Sequence, residues 1–273
     1  IVFLAFTCPS AAQTVQLKNA VIITSTSVSP VMRTTAPQVL SEEIAKRTGI
    51  TLRHTGNRPK KGTAVIALVL SADEQLMGIA IPRREDKNGT EYKKEGFRVV
   101  STVTANGTVV WIIGADDRGL LFGTGWLLRN LDMAHNRLQL NDKTDMASSP
   151  AYPIRGHQLG YRTTANSYDA WTVAQYDQYI RDLAIFGTNA IEGIPFHEDE
   201  TPSPLFTIPA AEMNIRLSEI CRKYDMDYWV WTPATFDLTD KAKRKAELDM
   251  HENFYRQCPR LDHIFFPGGD PGD

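Results

Sequence analysis

The hydrophobic and polar positions divide the chain into two stretches of different rhythm. Over about residues 17 to 147 the apolar runs are short and irregularly spaced. Val21–Thr24 (VIIT) predicts a strand. Ala36, Val39, Leu40 and Ile44 then fall on one helical face, with Pro37 predicting the first turn and Gly49 the stop. Ala64–Leu70 (AVIALVL) is apolar without interruption, as in a strand buried on both faces. Residues 83–95 (RREDKNGTEYKKE) read as a solvated, charged loop. Phe97–Thr104 and Thr108–Ile113 flank Asn106-Gly107, which predicts a hairpin with both turn residues at positive φ. Asp116-Asp117 precede an apolar helix from Gly119 to Leu131, where free N–H groups and the helix dipole favour acids. Gly123 and Gly125 would let that helix lie close on a sheet. They do not match a nucleotide-binding G-x-G-x-x-G turn. The expected architecture here is an α/β sandwich, a mixed sheet with two helices.

From about residue 151 the rhythm becomes regular. Strands are predicted at Ile154–Tyr161, Asn189–Pro195, Asp227–Thr232 and Leu261–Phe266. Helices are predicted between them at Ala170–Phe186, Pro209–Tyr224 and near Asp240–Gln257. Strand–helix units of roughly 35 residues imply right-handed βαβ connections and a parallel sheet. A doubly wound sheet and a (β/α)₈ barrel both fit, and the missing Gly-rich turn after the first strand favours the barrel. Barrel enzymes collect functional residues at the C-terminal strand ends. Those ends carry His157, Gln158, Tyr161 and Arg162, then Glu192 and His197, then Trp229, Trp231 and Thr232, then Asp270 and Asp273. Each has an ordinary structural counterpart: a core histidine, a salt-bridge partner, core tryptophans, turn-forming aspartates. Their joint position on one rim carries the functional reading.

Composition narrows the class. Hydrophobic residues are 42%, charged residues 23% and the net charge is -2, as in a folded globular protein without the basic footprint of a nucleic-acid binder. No apolar run reaches membrane-spanning length. The opening IVFLAFTCPSAA is expected to be the tail of a signal peptide cleaved near Ala12, which implies a secreted or periplasmic protein. Cys8 would leave with it. Cys221 and Cys258 remain, and their preferred reading is as small buried apolar residues. No ligand spacing suggests a zinc site, so neither metal nor cofactor is expected. The chain stops at PGGDPGD, just where the fourth strand opens into a loop, and is expected to be cut there.

Aromatic platforms beside carboxylates and an arginine suit a carbohydrate, whose rings offer C–H faces to tryptophan and hydroxyls to charged partners. Glycoside hydrolysis normally uses two carboxyls across the scissile bond. A substrate N-acetyl group can replace the nucleophile, one carboxyl orienting it while another protonates the leaving oxygen. Asp270 and Asp273 stand where such groups are wanted.

Two motifs carry a resemblance. GADDRGLLFGTGWLLRNL (Gly114–Leu131) resembles the accessory N-terminal domain of family 20 hexosaminidases, family 84 enzymes and family 67 alpha-glucuronidases. PIRGHQLGYR (Pro153–Arg162) is similar to their Arg-Gly-led first barrel strand, which in family 20 ends in a sugar-binding arginine. Arg162 is the nearest match, one position short. The families' adjacent acid pair after the fourth strand is replaced by Gly268-Gly269-Asp270-Pro271-Gly272-Asp273, without a neighbouring second acid. The resemblance implies a glycoside hydrolase, with beta-N-acetylhexosaminidase as the leading activity. An alpha-glucuronidase-like enzyme and a non-catalytic carbohydrate-binding protein stay open, as does an α/β nucleotide-binding enzyme. Residues 1–12 would be the signal remnant, 17–147 the accessory domain and 151–273 half of a TIM barrel, inactive alone. Asp270 and Asp273 would be catalytic. Arg162, Glu192, His157 and His197 would hold the sugar, and Trp231 would stack on it.

Overall fold

The computed structural model describes residues 14–83, 93–159, 167–194, 196, 204–232, 237 and 239–266. Chain order runs β1 (Thr14–Gln16), β2 (Val21–Thr24), α1 (Pro30–Thr48), β3 (Arg53–His54), β4 (Val65–Leu70), β5 (Gln75–Leu76), β6 (Ile79–Ala80), β7 (Phe97–Thr104), β8 (Gly107–Gly114) and α2 (Asp117–Asn130). It continues with β9 (Asp132–Ala134), β10 (Arg137–Asn141), β11 (Asp145–Ser148), β12 (Gly156–Gln158), α3 (Val173–Ile185), β13 (Ala190–Glu192), α4 (Ala210–Lys223), β14 (Asp227–Trp231), α5 (Lys241–Gln257) and β15 (His263–Phe265).

The first stretch forms a mixed six-stranded sheet in the order β11-β7-β8-β4-β2-β3, with β8, β4, β2 and β3 parallel. Alternation along the strands separates two apolar faces. Ile22, Ile66, Leu68, Val99, Val110 and Ile112 pack in one core with α1 and α2. Val21, Ile23, Val65, Ala67, Val69 and Trp111 form a second, smaller core with Leu76, Met77 and Ile79 of the β5–β6 hairpin. A three-stranded sheet, β1-β10-β9, adds Leu138 and Leu140 to the larger core.

Three local expectations are revised. Helix α1 begins seven residues before Pro37: Ser29 caps it by accepting from the Met32 N–H, and Pro30 occupies the first turn. Pro37 therefore lies inside the helix, where it cannot donate to the Arg33 carbonyl. The Gly49 stop holds, at φ 74°. The β7–β8 turn centres on Ala105-Asn106, and of its residues only Gly107 takes positive φ. Gly123 does pack on the sheet, where an added Cβ would come within 2.7 Å of Ile112 Cγ2. Gly125 faces the other way, and its Cβ would collide with the Ile185 carbonyl at the end of α3.

The second stretch is a four-stranded sheet, β12-β13-β14-β15, parallel throughout. Its strand order follows chain order without reversal, whereas a doubly wound sheet reverses at a switch point. The expected α/β class and parallel winding are thus observed. Thr172 and Gln175 close a capping box on α3, and Asp240 caps α5. Both remaining cysteines are free thiols. Cys221 is fully buried and Cys258 partly so, and burial pushes the Cys258 thiol up to about 11.

Helices α1 and α2 pack on α3 and α4, so one apolar core runs from the mixed sheet through two helical layers to the parallel sheet. Glu95 lies at this junction and corrects the reading of 83–95 as solvated loop. It is 4% exposed and takes positive φ. Its carboxylate accepts from Arg118 (3.0 Å), Arg155 (2.6 Å) and both-oxygen contacts of Asn189 (3.1 Å each). Its N–H donates to Asp116, which also caps α2 through the Gly119 N–H. Arg181 of α3 reaches Glu42 (2.6 Å) and Glu43 (3.3 Å) of α1.

Two outcomes follow from this packing. Gly125→Ala should weaken the α2–α3 contact by about 1–3 kcal/mol, because the overlap is with backbone. An unchanged urea midpoint would show that α2 has room to move. Acid should act on the same junction. Burial works to raise the Glu43 pKa, but hydrogen bonds from Arg47 and Lys46 outweigh it and hold the group at about 2 instead of 4.5. Glu95 and Asp227 are likewise held low by arginines against the effect of burial. Depressed carboxylates stabilise the fold above their unfolded pKa and lose that contribution as they protonate. The urea midpoint should fall between pH 4.5 and about 2. A level midpoint across that window would contradict the assignment.

Candidate functional site

Alternation in the parallel sheet assigns each residue to one of two faces. Tyr228 and Val230 of β14 and Ile191 of β13 are buried among the helices. Tyr228 also donates to Asn214 of α4 at 2.6 Å. Glu192, Trp229 and Trp231 therefore fall on the opposite face. The register aligns Gln158, Glu192, Trp229 and His263 in one row across all four strands, with Trp231 and Phe265 paired one step nearer the C-terminal ends.

Within the row, Gln158 Nε2 donates to Glu192 at 3.3 Å, and the Trp229 and His263 rings lie 4.5 Å apart. Burial raises the Glu192 pKa, and the single hydrogen bond from Gln158 opposes it only in part. Trp229 Nε1 is buried without a partner among the described residues. The row thus combines an under-solvated carboxyl, an amide and an imidazole with an indole whose N–H is enclosed. The carboxyl, amide and imidazole can offer hydrogen bonds to hydroxyls beside the aromatic faces.

His157 is separated from this group. Its neighbours in the register place it with Ile191 and Tyr228, on the helix side. There its Nε2 is 3.0 Å from the Tyr179 hydroxyl and 3.4 Å from that of Tyr168. Burial lowers its pKa, which favours the neutral ring. Thr232 also turns toward the helices, bonded to Tyr255 at 2.9 Å. Of the expected site residues the sheet brings together Glu192 and Trp231. Arg162, His197, Asp270 and Asp273, with Tyr161, lie outside the described residues.

Sequence reasoning overlooked His263 and left Gln158 and Trp229 without a role. Period-2 alternation counted back from Trp231 and Glu192 would have found them. It also overlooked what the Arg-Gly of the first strand does. Arg155 points away from the rim, to Glu95 and to the Gly187 and Tyr152 carbonyls. Among the described residues, no group of three or more His, Cys, Asp or Glu could hold a metal ion, and no helix is long and apolar enough to cross a membrane.

No family model matches the chain, and no curated protein sequence matches it. Solved structures do. The chain is similar to CpGH84B, with a TM-score of 0.61 and 15% identity over 94% of this chain and 42% of that one. It is similar to the Flavobacterium johnsoniae chitobiase FjGH20, with a TM-score of 0.58 and 13% identity over 93% and 43%. It also resembles BtGH115A, a family GH115 4-O-methyl-alpha-glucuronidase with specificity for decorated arabinogalactans, with a TM-score of 0.58 and 16% identity over 88% and 34%. These are likenesses of fold, and the chain spans about two-fifths or less of each structure's length.

The state of Glu192 yields a test. A carboxyl whose folded pKa is raised costs stability once pH climbs through its unfolded value. Glu192→Gln should raise the urea midpoint at pH 7.5, by on the order of 0.5–1 kcal/mol. The gain should disappear near pH 4, where both side chains are neutral. An equal loss at both pH values would mean that Glu192 is a structural partner.

Proposed function

We propose that the chain is the N-terminal part of a glycoside hydrolase. Residues 17–147 are its accessory domain, and 151–273 the first half of a (β/α)₈ barrel. The observation that carries this reading is the row Gln158–Glu192–Trp229–His263 with Trp231 above it, on the face that a closing barrel would turn inward. The fold likeness to glycoside hydrolases supports it. Residues 1–12 are read as a signal remnant, which makes the protein secreted or periplasmic.

The substrate is a carbohydrate, and the leading activity is that of a beta-N-acetylhexosaminidase. Glu192, Arg162 and His197 bind the sugar, and Trp231 stacks on its ring. His157 supports the first strand through Tyr179 rather than touching sugar. Asp270 is the orienting or proton-donating carboxyl, with Asp273 the second choice. In the N-acetyl route the acetamido oxygen bonds to the anomeric carbon as the glycosidic C–O bond breaks. A carboxylic acid gives its proton to the departing oxygen, and water then opens the cyclic intermediate. An alpha-glucuronidase is the second reading, favoured by the likeness to the GH115 enzyme.

The test uses protein expressed from the whole reading frame, with aryl N-acetyl-β-glucosaminide and aryl glucuronide as substrates. Asp270→Asn should lower kcat by about 10²–10⁴-fold. Glu192→Gln should act mainly on KM. Wild-type activity in Asp270→Asn removes Asp270 from the chemistry. Glycan binding with no turnover of either substrate replaces the enzyme with a binding protein.

A further inference from the structure

A groove of about 280 Å³ lies between the two stretches, on the N-terminal side of the parallel strands and therefore away from the rim. Trp126 of α2 and Phe186 at the end of α3 form part of its wall, with Arg129, Arg155, Glu95 and Ser148. Phe186 is 73% exposed, so its ring is open to a ligand from solvent. The Arg129 guanidinium sits over its ring, 5.0 Å from the centroid. Arg129 donates to the Ile185 carbonyl, but no carboxylate among the described residues pairs with it. Partial burial lowers its pKa, as for a cation lacking a neutralising neighbour.

Every other arginine at this junction is matched. Arg118 and Arg155 share Glu95, Arg260 takes Asp225, Asp227 and Asp262, and Arg181 takes Glu42 and Glu43. Glu95, in the same wall, carries two arginines, Arg118 and Arg155, so its charge is already matched. A planar guanidinium fixed by an aromatic ring is suited to bidentate carboxylate recognition. The remaining wall supplies an indole for an apolar ring face and a serine hydroxyl for a polar ring edge.

We propose that this groove is a second ligand site, for a carboxylate carried on a ring with one apolar face, and specifically for a hexuronic acid residue of a glycan. The carboxylate bonds to Arg129, the pyranose C–H face lies against Trp126 and Phe186, and ring hydroxyls meet Ser148. No bond is made or broken. The site holds a charged saccharide unit some way from the rim. It stands independently of the catalytic reading.

Calorimetric titration of the chain with D-glucuronate, D-glucose and benzoate tests it. Glucuronate should bind at least about tenfold more tightly than glucose, the order expected for one charge-assisted carboxylate contact. Arg129→Gln should abolish that preference. Phe186→Ala, at an exposed position that leaves the core intact, should weaken binding and confirm that lost affinity does not arise from misfolding. Equal affinity for glucuronate and glucose, or retention of binding in both groove variants, overturns the proposal. Binding of benzoate without glucuronate overturns its assignment to a saccharide.

Discussion

One buried carboxylate organises the structure. Glu95 is removed from water, and a charge in that position is tolerated only when paired and hydrogen-bonded, since leaving it unpaired costs several kcal/mol. Its partners come from separate elements. Asp116, the cap of α2, holds its N–H. Arg155 lies just before β12 and Asn189 just before β13. Arg118 continues to Asp227, the first residue of β14. Asp227 in turn meets Arg260, which bonds Asp262 immediately before β15. The N-terminal ends of all four parallel strands are thus tied, in order, to one point on the first stretch.

That arrangement leaves the two ends of the parallel sheet unequal. The N-terminal ends are cross-linked by charge, and the helical face is closed by α1 and α2 packed on α3 and α4. The C-terminal ends and the opposite face carry Glu192, Trp229, Trp231 and His263. In parallel α/β sheets this is also where ligands bind, because loops there vary without disturbing the packing. The mixed sheet therefore acts as a foundation: it fixes the strands at one end and leaves the other free of those ties.

Much of this was legible in the sequence, for a physical reason. Elements whose apolar residues repeat with a clear period are specified locally, which is why β4, the β7–β8 hairpin, α2 and the regular units from β12 onward fall where periodicity puts them. The misreadings concern residues whose environment is made by distant parts of the chain. Glu95 sits in a run of charges and looks solvated, yet its partners are 23, 60 and 94 residues away. Gly125 looks like a helix–sheet contact, but α3 is what approaches it. His157 was assigned to the rim because strand ends attract that reading, while alternation with Ile191 turns it to the tyrosines of the helical side. Period-2 counting would have caught the last of these; nothing local predicts the other two.

The inner row differs from the junction in how its carboxylate is treated. Glu43, Glu95 and Asp227 are carboxylates held below their ordinary pKa by nearby cations. Glu192 is instead raised by burial, with one long hydrogen bond, and the Trp229 indole N–H beside it has no acceptor among the described residues. Under-satisfied polar groups are where a ligand can supply what the protein does not. Glu192 keeps acceptor capacity that Gln158 alone does not fill, and the Trp229 N–H beside it is enclosed without an acceptor among the described residues. Both groups cost the fold stability where they stand. The junction at Glu95 is what lets the fold bear those costs, because the strands that present the row are held from their far ends and do not depend on its packing.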